Sequence, residues 1–236
     1  MSGSVGGLQA GQVKRVSLFI GPYGSGKSEI SVNFTLWLRR NDYRVTLCDL
    51  DIINPFFRSA DTRRVLEEAG IRLVAPVFAG TNVDVPAVPA EAYSVFDDPG
   101  RHAVLDIGGE DLGARIVATL KQRLLDIVDD VAVYMVVNPY RPFSQTSSQI
   151  VQQAEILTRA AGLAPTALVH NANLLEDSDA GLLTESSVIV KAAAAQLGVP
   201  VAFAAAMADV VPPDWGTRTP DGLPLLKMRR TIHYLR

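Results

Sequence analysis

The stretch Val16-Ser-Leu-Phe-Ile-Gly-Pro-Tyr-Gly-Ser-Gly-Lys-Ser28 decides the fold. Its apolar, β-branched opening predicts a buried strand, its glycines a tight turn, and the residues after Lys27 a helix. The spacing Gly21-x4-Gly26-Lys27-Ser28 meets the Walker A pattern, and each position has a mechanical job. Gly21, Gly24 and Gly26 allow positive φ and let backbone N–H groups, with that of Ser25 among them, close on a polyphosphate. Lys27 is placed to reach the outer phosphates, Ser28 to ligate Mg²⁺ through its hydroxyl, and the helix start to add unpaired N–H groups and the positive dipole end.

Outward from that loop, strands alternate with helices. The helix after the loop carries Ile30, Phe34, Trp37 and Leu38 on one face, which must lie on a sheet. Arg44 to Cys48 is the next strand, and Asp49-Leu-Asp51 closes it with two carboxylates at its carboxyl end, the edge where open α/β sheets bind ligands. A helix over 61–69 and a short strand over 71–75 follow. Residues 76–100 hold four prolines, so the stretch is mostly irregular, with one weak helix near 90–96. Connections of that length are usually functional, disordered or lids.

His102-Ala-Val-Leu-Asp106-Ile-Gly-Gly109 is an apolar strand ending in an aspartate and two glycines. Paired with the loop upstream, Asp106 can hold Mg²⁺ or its water, and Gly109 has the spacing of a γ-phosphate-sensing glycine. Helices are predicted over 110–128, 144–161 and 185–197, and strands over 131–137, 165–170 and 199–204. The fully apolar Val131 to Val137 belongs at the centre of a parallel sheet. The tail, 225–235, has the spacing of a basic amphipathic helix that could rest on a membrane surface or dock on the domain. The fold class predicted is α/β: a single doubly wound, mostly parallel sheet of about seven strands with helices on both faces. Residues 1–13 read as a flexible leader and 14–236 as one P-loop nucleotide-binding domain.

Composition narrows the function. With 22 basic and 25 acidic residues among 236, and no basic run, a nucleic-acid footprint is not expected. A single cysteine, Cys48, rules out an internal disulfide and a cysteine-only metal cluster within one chain, and its place in a strand marks a packed thiol. No apolar run could span a membrane and no signal peptide is visible, so the expected compartment is the cytoplasm.

With these motifs in place the chain resembles the P-loop NTPases of the MinD/ParA-like branch from about Lys14 to the last predicted strand. Asp49-Leu-Asp51 looks like that class's acidic switch I, and Asp106-Ile-Gly-Gly109 like its Walker B and switch II. More narrowly, Tyr23-Gly-Ser-Gly-Lys-Ser-Glu29, Asp49 to Ser59 and Asn138-Pro-Tyr-Arg-Pro142 resemble bacterial ATP-binding proteins with CobQ/CobB/MinD/ParA-type nucleotide-binding domains. The resemblance implies an ATP-hydrolysing, Mg²⁺-dependent homodimer acting on a partner protein. Lys27 and Asp106 would act in catalysis with Asp51 placing water, while Glu29 and Asn171 join the loop residues in binding nucleotide and Asn171 contacts adenine. One departure stands out: the position after the loop's first glycine, where many of the class carry a lysine that reaches a partner's nucleotide, is Pro22. Arg58 and Arg141 are candidates to supply that charge. The competing class is a small-molecule kinase or carboxylate-activating ligase with 76–100 as its lid and Asp84, Tyr93 and His102 beside the acceptor. A nucleotide-holding module without turnover, and a metal carrier, remain behind these.

Overall fold

The computed structural model describes residues 7–8, 13–51, 60–75, 88–109 and 111–231. Eight strands form one parallel sheet: β1 (Val16–Ile20), β2 (Val45–Leu50), β3 (Arg72–Val74), β4 (His102–Ile107), β5 (Val131–Val137), β6 (Ala167–Asn171), β7 (Val201–Met207) and β8 (Leu225–Met228), in the order β3-β2-β4-β1-β5-β6-β7-β8. The helices are α1 (Lys27–Arg40), α2 (Ala60–Glu68), α3 (Ala90–Tyr93), α4 (Asp111–Asp126), α5 (Ser147–Ala161) and α6 (Ala180–Leu197). Parallel strands need crossovers, and the crossovers bury both faces.

The alternation of side chains along each strand divides the core. Val16, Leu18 and Ile20 of β1 face α4, α5 and α6, where Ile116, Leu120, Ile150 and Val190 meet them. Phe19, one residue out of phase, joins the opposite layer with Ile30, Phe34, Trp37 and Leu38 of α1 and Leu66 of α2. Under α1 the rings of Phe19 and Phe34 sit 5.3 Å apart and edge-on, and Phe34 stacks on Phe203 at 5.8 Å. Pairs of this kind add ~0.5–1.5 kcal/mol each beyond their buried area. The helix that leaves the glycine loop is therefore bolted to the sheet from below.

Caps set several ends. Thr146 and Gln149 form a reciprocal capping box at the start of α5. Asp179 accepts from Leu182 N at 2.9 Å and starts α6 five residues before the expected Glu185. The eighth strand corrects the sequence expectation more seriously. Residues 225–228 are a strand and not the first turn of an amphipathic helix. Leu226 and Met228 lie in the α1 layer, Leu225 in another apolar cluster, and Lys227 is exposed. Without β8, β7 would present an open row of backbone groups, so the segment pairs with it in parallel. Residues 229–231 continue without helix, and the last part of the expected helix, 232–235, lies outside the described residues. Of the leader, Gly7 N donates to Thr217 O at 3.3 Å, and Leu8 and Val13 pack on the core.

Candidate nucleotide site

Strand order reverses at β1, with β4 on one side and β5 on the other, so a crevice opens above its carboxyl end. The glycine loop fills the floor of that crevice. Gly21, Gly24 and Gly26 take φ of 146°, 74° and 93°. Gly26 tolerates no side chain: besides its left-handed φ, a Cβ there would collide with the Asn171 amide. No side chain caps α1 at Gly26, which leaves the first N–H groups of the helix for an anion. Lys27 is buried, with Nζ donating to Pro22 O at 3.0 Å, and the Ser25 hydroxyl is buried without a partner. An uncapped helix start, a buried ammonium and an unpaired hydroxyl converge on one concave spot.

Asp49 and Asp106 are register partners across β2 and β4, so both carboxylates arrive at the same edge. Asp106 is fully buried. Burial drives its pKa up to about 7; the Ser28 hydroxyl, the Lys27 charge and Ser31 draw it down, and Asp51 adds repulsion. Ser28 and Ser31 come near enough to be felt, yet neither makes a hydrogen bond of ordinary geometry: both Asp106 oxygens lack a partner. Two orphaned carboxylate oxygens beside a serine hydroxyl fit a hard divalent cation that completes its shell with water and phosphate. Asp51 sits against Gly108, whose Cβ, were there one, would lie 3.2 Å from Asp51 Oδ1. Gly109 closes the wall: a Cβ there would stand 2.9 Å from Tyr23 N and 3.0 Å from Lys27 Nζ. Lys27, Ser28, Asp51, Asp106 and Gly109 are thus brought together.

At the other flank, Asn171 Nδ2 donates to Ser25 O at 2.7 Å and ties β6 to the loop, while its Oδ1 is buried and unpaired. Asn171, Asn173, Ser178, Asp179 and Met207 line a narrow cleft over the ends of β6 and β7. Asn138 Nδ2 braces it through Asn173 O at 2.9 Å. A larger cavity of about 270 Å³ lies at the opposite edge of the sheet, between Ala154, Thr158, Leu197 and Val199, with none of these groups near it.

Other expected residues go elsewhere. Glu29 Oε1 accepts from Thr231 N at 2.7 Å and Thr231 Oγ1 at 2.6 Å, so the carboxylate after Ser28 holds the chain beyond β8. Thr62 of α2 donates to Thr231 O at 2.5 Å and joins the same strap. Nothing local in the sequence pairs Glu29 with a residue 202 positions away. Ser31, one turn beyond Ser28, was also missed, although its spacing puts it on the same helix face. His102 begins β4 at the amino edge, edge-on to Tyr43 at 4.4 Å. Ala92, Val95 and Phe96 are packed in the core near that edge, where Arg15 Nη1 donates to Val95 O at 3.1 Å. The part of the expected lid left to cover an acceptor is 76–87, which, with Asp84 and Arg58, lies outside the described residues. Burial pushes the Cys48 thiol up to about 12, the state of a packed core group. Among the described residues no helix is long and apolar enough to cross a membrane, and no group of three or more His, Cys, Asp or Glu could hold a metal unaided.

No family profile and no curated protein matches the sequence. Solved structures do match its shape. The signal recognition particle receptor FtsY from Elizabethkingia anophelis in complex with GDP superposes with a TM-score of 0.54, at 20% identity, over 82% of this chain and 58% of that one. The 54 kDa signal recognition particle protein from Aeropyrum pernix, also with GDP, gives 0.52 at 20% identity over 84% and 42%, and FtsY from Thermotoga maritima 0.54 at 17% over 81% and 61%. This chain therefore spans only about half the length of such neighbours, and at these identities the likeness carries the fold: the α/β fold of P-loop NTPases.

Proposed function

We propose that this chain binds and hydrolyses Mg·ATP as a nucleotide-driven switch of the MinD/ParA-like kind, working as a cytoplasmic homodimer on a partner protein. The observation that carries the nucleotide reading is the convergence of the uncapped α1, buried Lys27 and the partnerless Asp106 carboxylate on one crevice. Ser28 and Asp106 would hold the ion, and Mg²⁺, when bound, neutralises charge on the outer phosphates. Lys27 binds and orients those phosphates, the N–H groups of 24–28 cradle them, and Asp51 orients water at the γ side.

Adenine is favoured by the unpaired acceptor that Asn171 offers. Its Nδ2 gives one hydrogen to Ser25 O, and its acceptor Oδ1 is buried and unpaired. Adenine presents an amino donor next to N7, whereas guanine presents two acceptors on that edge. Position 174, where a guanine-reading Asn-Lys-x-Asp would need its acid, is Leu174. The GDP in two structural neighbours supports the runner-up, GTP.

Titration calorimetry with Mg·ATP and Mg·GTP, phosphate release, and light scattering with ADP and a non-hydrolysable ATP analogue test the reading together. ATP should bind at least ~10-fold tighter than GTP, Lys27→Ala should abolish binding or turnover, and only the ATP analogue should double the mass. Equal binding by Lys27→Ala overturns the site; preference for GTP overturns the base choice. A fixed mass in every state removes the switch and favours the kinase or ligase class.

A further inference from the structure

Arg141 lies in the loop after β5, the strand that runs beside β1 with Ile20 opposite Met135. The loop is tightly wound. Tyr140 N bonds Asn138 Oδ1 at 3.1 Å, Arg141 N bonds Asn138 O at 3.0 Å, and Ser144 N bonds Arg141 O at 3.2 Å, before the Thr146 capping box starts α5. So held, the guanidinium crosses the glycine loop. A Cβ on Gly24 would find Arg141 Nε at 3.6 Å, Cδ at 3.8 Å and Cζ at 3.9 Å. The Nε is buried and donates to nothing, and no carboxylate among the described residues pairs with this arginine. Arg15 Nε is likewise buried without a hydrogen bond, but its charge faces Asp130 at 3.8 Å and its Nη1 donates to Val95 O at 3.1 Å.

The Arg141 side chain as a whole is half-buried, but its buried Nε–H has no acceptor, a cost that an anion beside it would remove. The anion that fits is a phosphate group, which meets a guanidinium fork through two oxygens. We propose that Arg141 is a catalytic arginine acting on the nucleotide of its own chain, touching the phosphates over Gly24 from the β5 side while Lys27 and Asp106 act from the β4 side. The inference rests on the nucleoside triphosphate reading above. In the step it serves, the oxygen of water bonds to the γ-phosphorus and the bond from that phosphorus to the bridging oxygen breaks. The electron pair leaves on the diphosphate, and the water proton passes to a phosphate oxygen. Arg141 stabilises the charge gathering on the bridging oxygen, a contact worth most in the transition state. Pro22 offers no cation at the loop, which leaves this charge to another residue.

The test compares wild type, Arg141→Ala, Arg141→Gln and Arg141→Lys with Lys27→Ala, reading turnover, melting temperature, and affinity for Mg·ADP with and without fluoroaluminate, which mimics the transferring phosphoryl group. Turnover should fall ~10³-fold in the alanine and glutamine variants, with Mg·ADP affinity within about threefold of wild type. Fluoroaluminate should tighten ADP binding in wild type only. Lysine should recover part of the loss as a point charge, and millimolar guanidinium should restore part of the rate to Arg141→Ala but not to Lys27→Ala. Arg141 variants that keep turnover and fluoroaluminate tightening within about threefold of wild type overturn this inference alone. So do glutamine and lysine variants that lose ADP binding and melting temperature together, the mark of a structural arginine. A wild type that binds no nucleotide overturns both this inference and the reading beneath it.

Discussion

Asp106 and Asp221 each lie beside a lysine, and the fold treats them in opposite ways. Asp221 stands at the outer end of the sheet with Lys191 Nζ at 2.7 Å, Thr219 Oγ1 at 2.5 Å and the Ser187 hydroxyl also donating to it. Burial raises its pKa, but those three donors outweigh burial and hold it far below the usual carboxylate range. Asp106, fully buried, has no donor in hydrogen-bonding geometry, and burial carries it up to about 7. The first carboxylate is spent on structure, pinning the turn before β8 to α6. The second is withheld from structure, and a buried charge left without partners is tolerated where a ligand supplies them.

The largest effect that could break this contrast is on turnover. Asp106→Asn should lower phosphate release by ~10²–10³-fold and blunt its dependence on added Mg²⁺, whereas Asp221→Asn should leave turnover within about twofold. Equal losses would mean that both residues are structural. Stability separates them with opposite signs. In metal- and nucleotide-free protein at pH 8, Asp106→Asn removes a buried charge that Lys27 only partly offsets and should stabilise by on the order of 2 kcal/mol. Asp221→Ala strips three donors of their acceptor and should cost ~1.5–3 kcal/mol. Chemical denaturation of the two variants measures both.

The pH profile gives a smaller signal in a defined window. Because Asp106 has a raised pKa in the fold, the folded state binds more protons than the unfolded one between about 4 and 7. Its contribution to stability therefore grows as pH falls from about 7 and is lost as pH rises through it. Buried His170, pushed down to about 4 by desolvation, works the other way: stability is lost as pH falls from 6.5 towards 4. Melting curves of wild type minus Asp106→Asn isolate the first term, and the difference should move in favour of wild type between pH 8 and 5. A flat difference would place Asp106 among the ordinary ionised carboxylates. The smallest effect expected is on ion affinity. Since the ion takes the carboxylate form, Mg²⁺ affinity at saturating nucleotide should fall severalfold from pH 7.5 to 6, as a titration of turnover against Mg²⁺ reads.

Much of the site was legible because it is written in short-range patterns. A strand followed by Gly21-x4-Gly26-Lys27-Ser28, and apolar runs ending at Asp51 and Asp106, place their functional groups at strand ends wherever the sheet is built. The destination of Glu29 was not legible in this way, and Arg141 was legible only as a candidate charge at a strand end. Glu29 shares the loop's sequence but turns to Thr231, and Arg141 crosses to Gly24 only because β5 is laid against β1. The tail misled for a related reason: in 225–228 helical spacing and strand alternation are hard to tell apart over four residues, and the open edge of β7 decided between them.

The sequence by itself therefore determined the alternation of strand and helix, the phosphate loop and the carboxylates that end β2 and β4, since each depends on residues within a few positions of one another. Tertiary structure alone decided the order of the strands, the eighth strand, the strap from Glu29 to Thr231, and above all which polar groups find partners. Whether a carboxylate such as Asp106 is satisfied depends on donors delivered by distant segments, and that is a property of packing, which no local spacing contains.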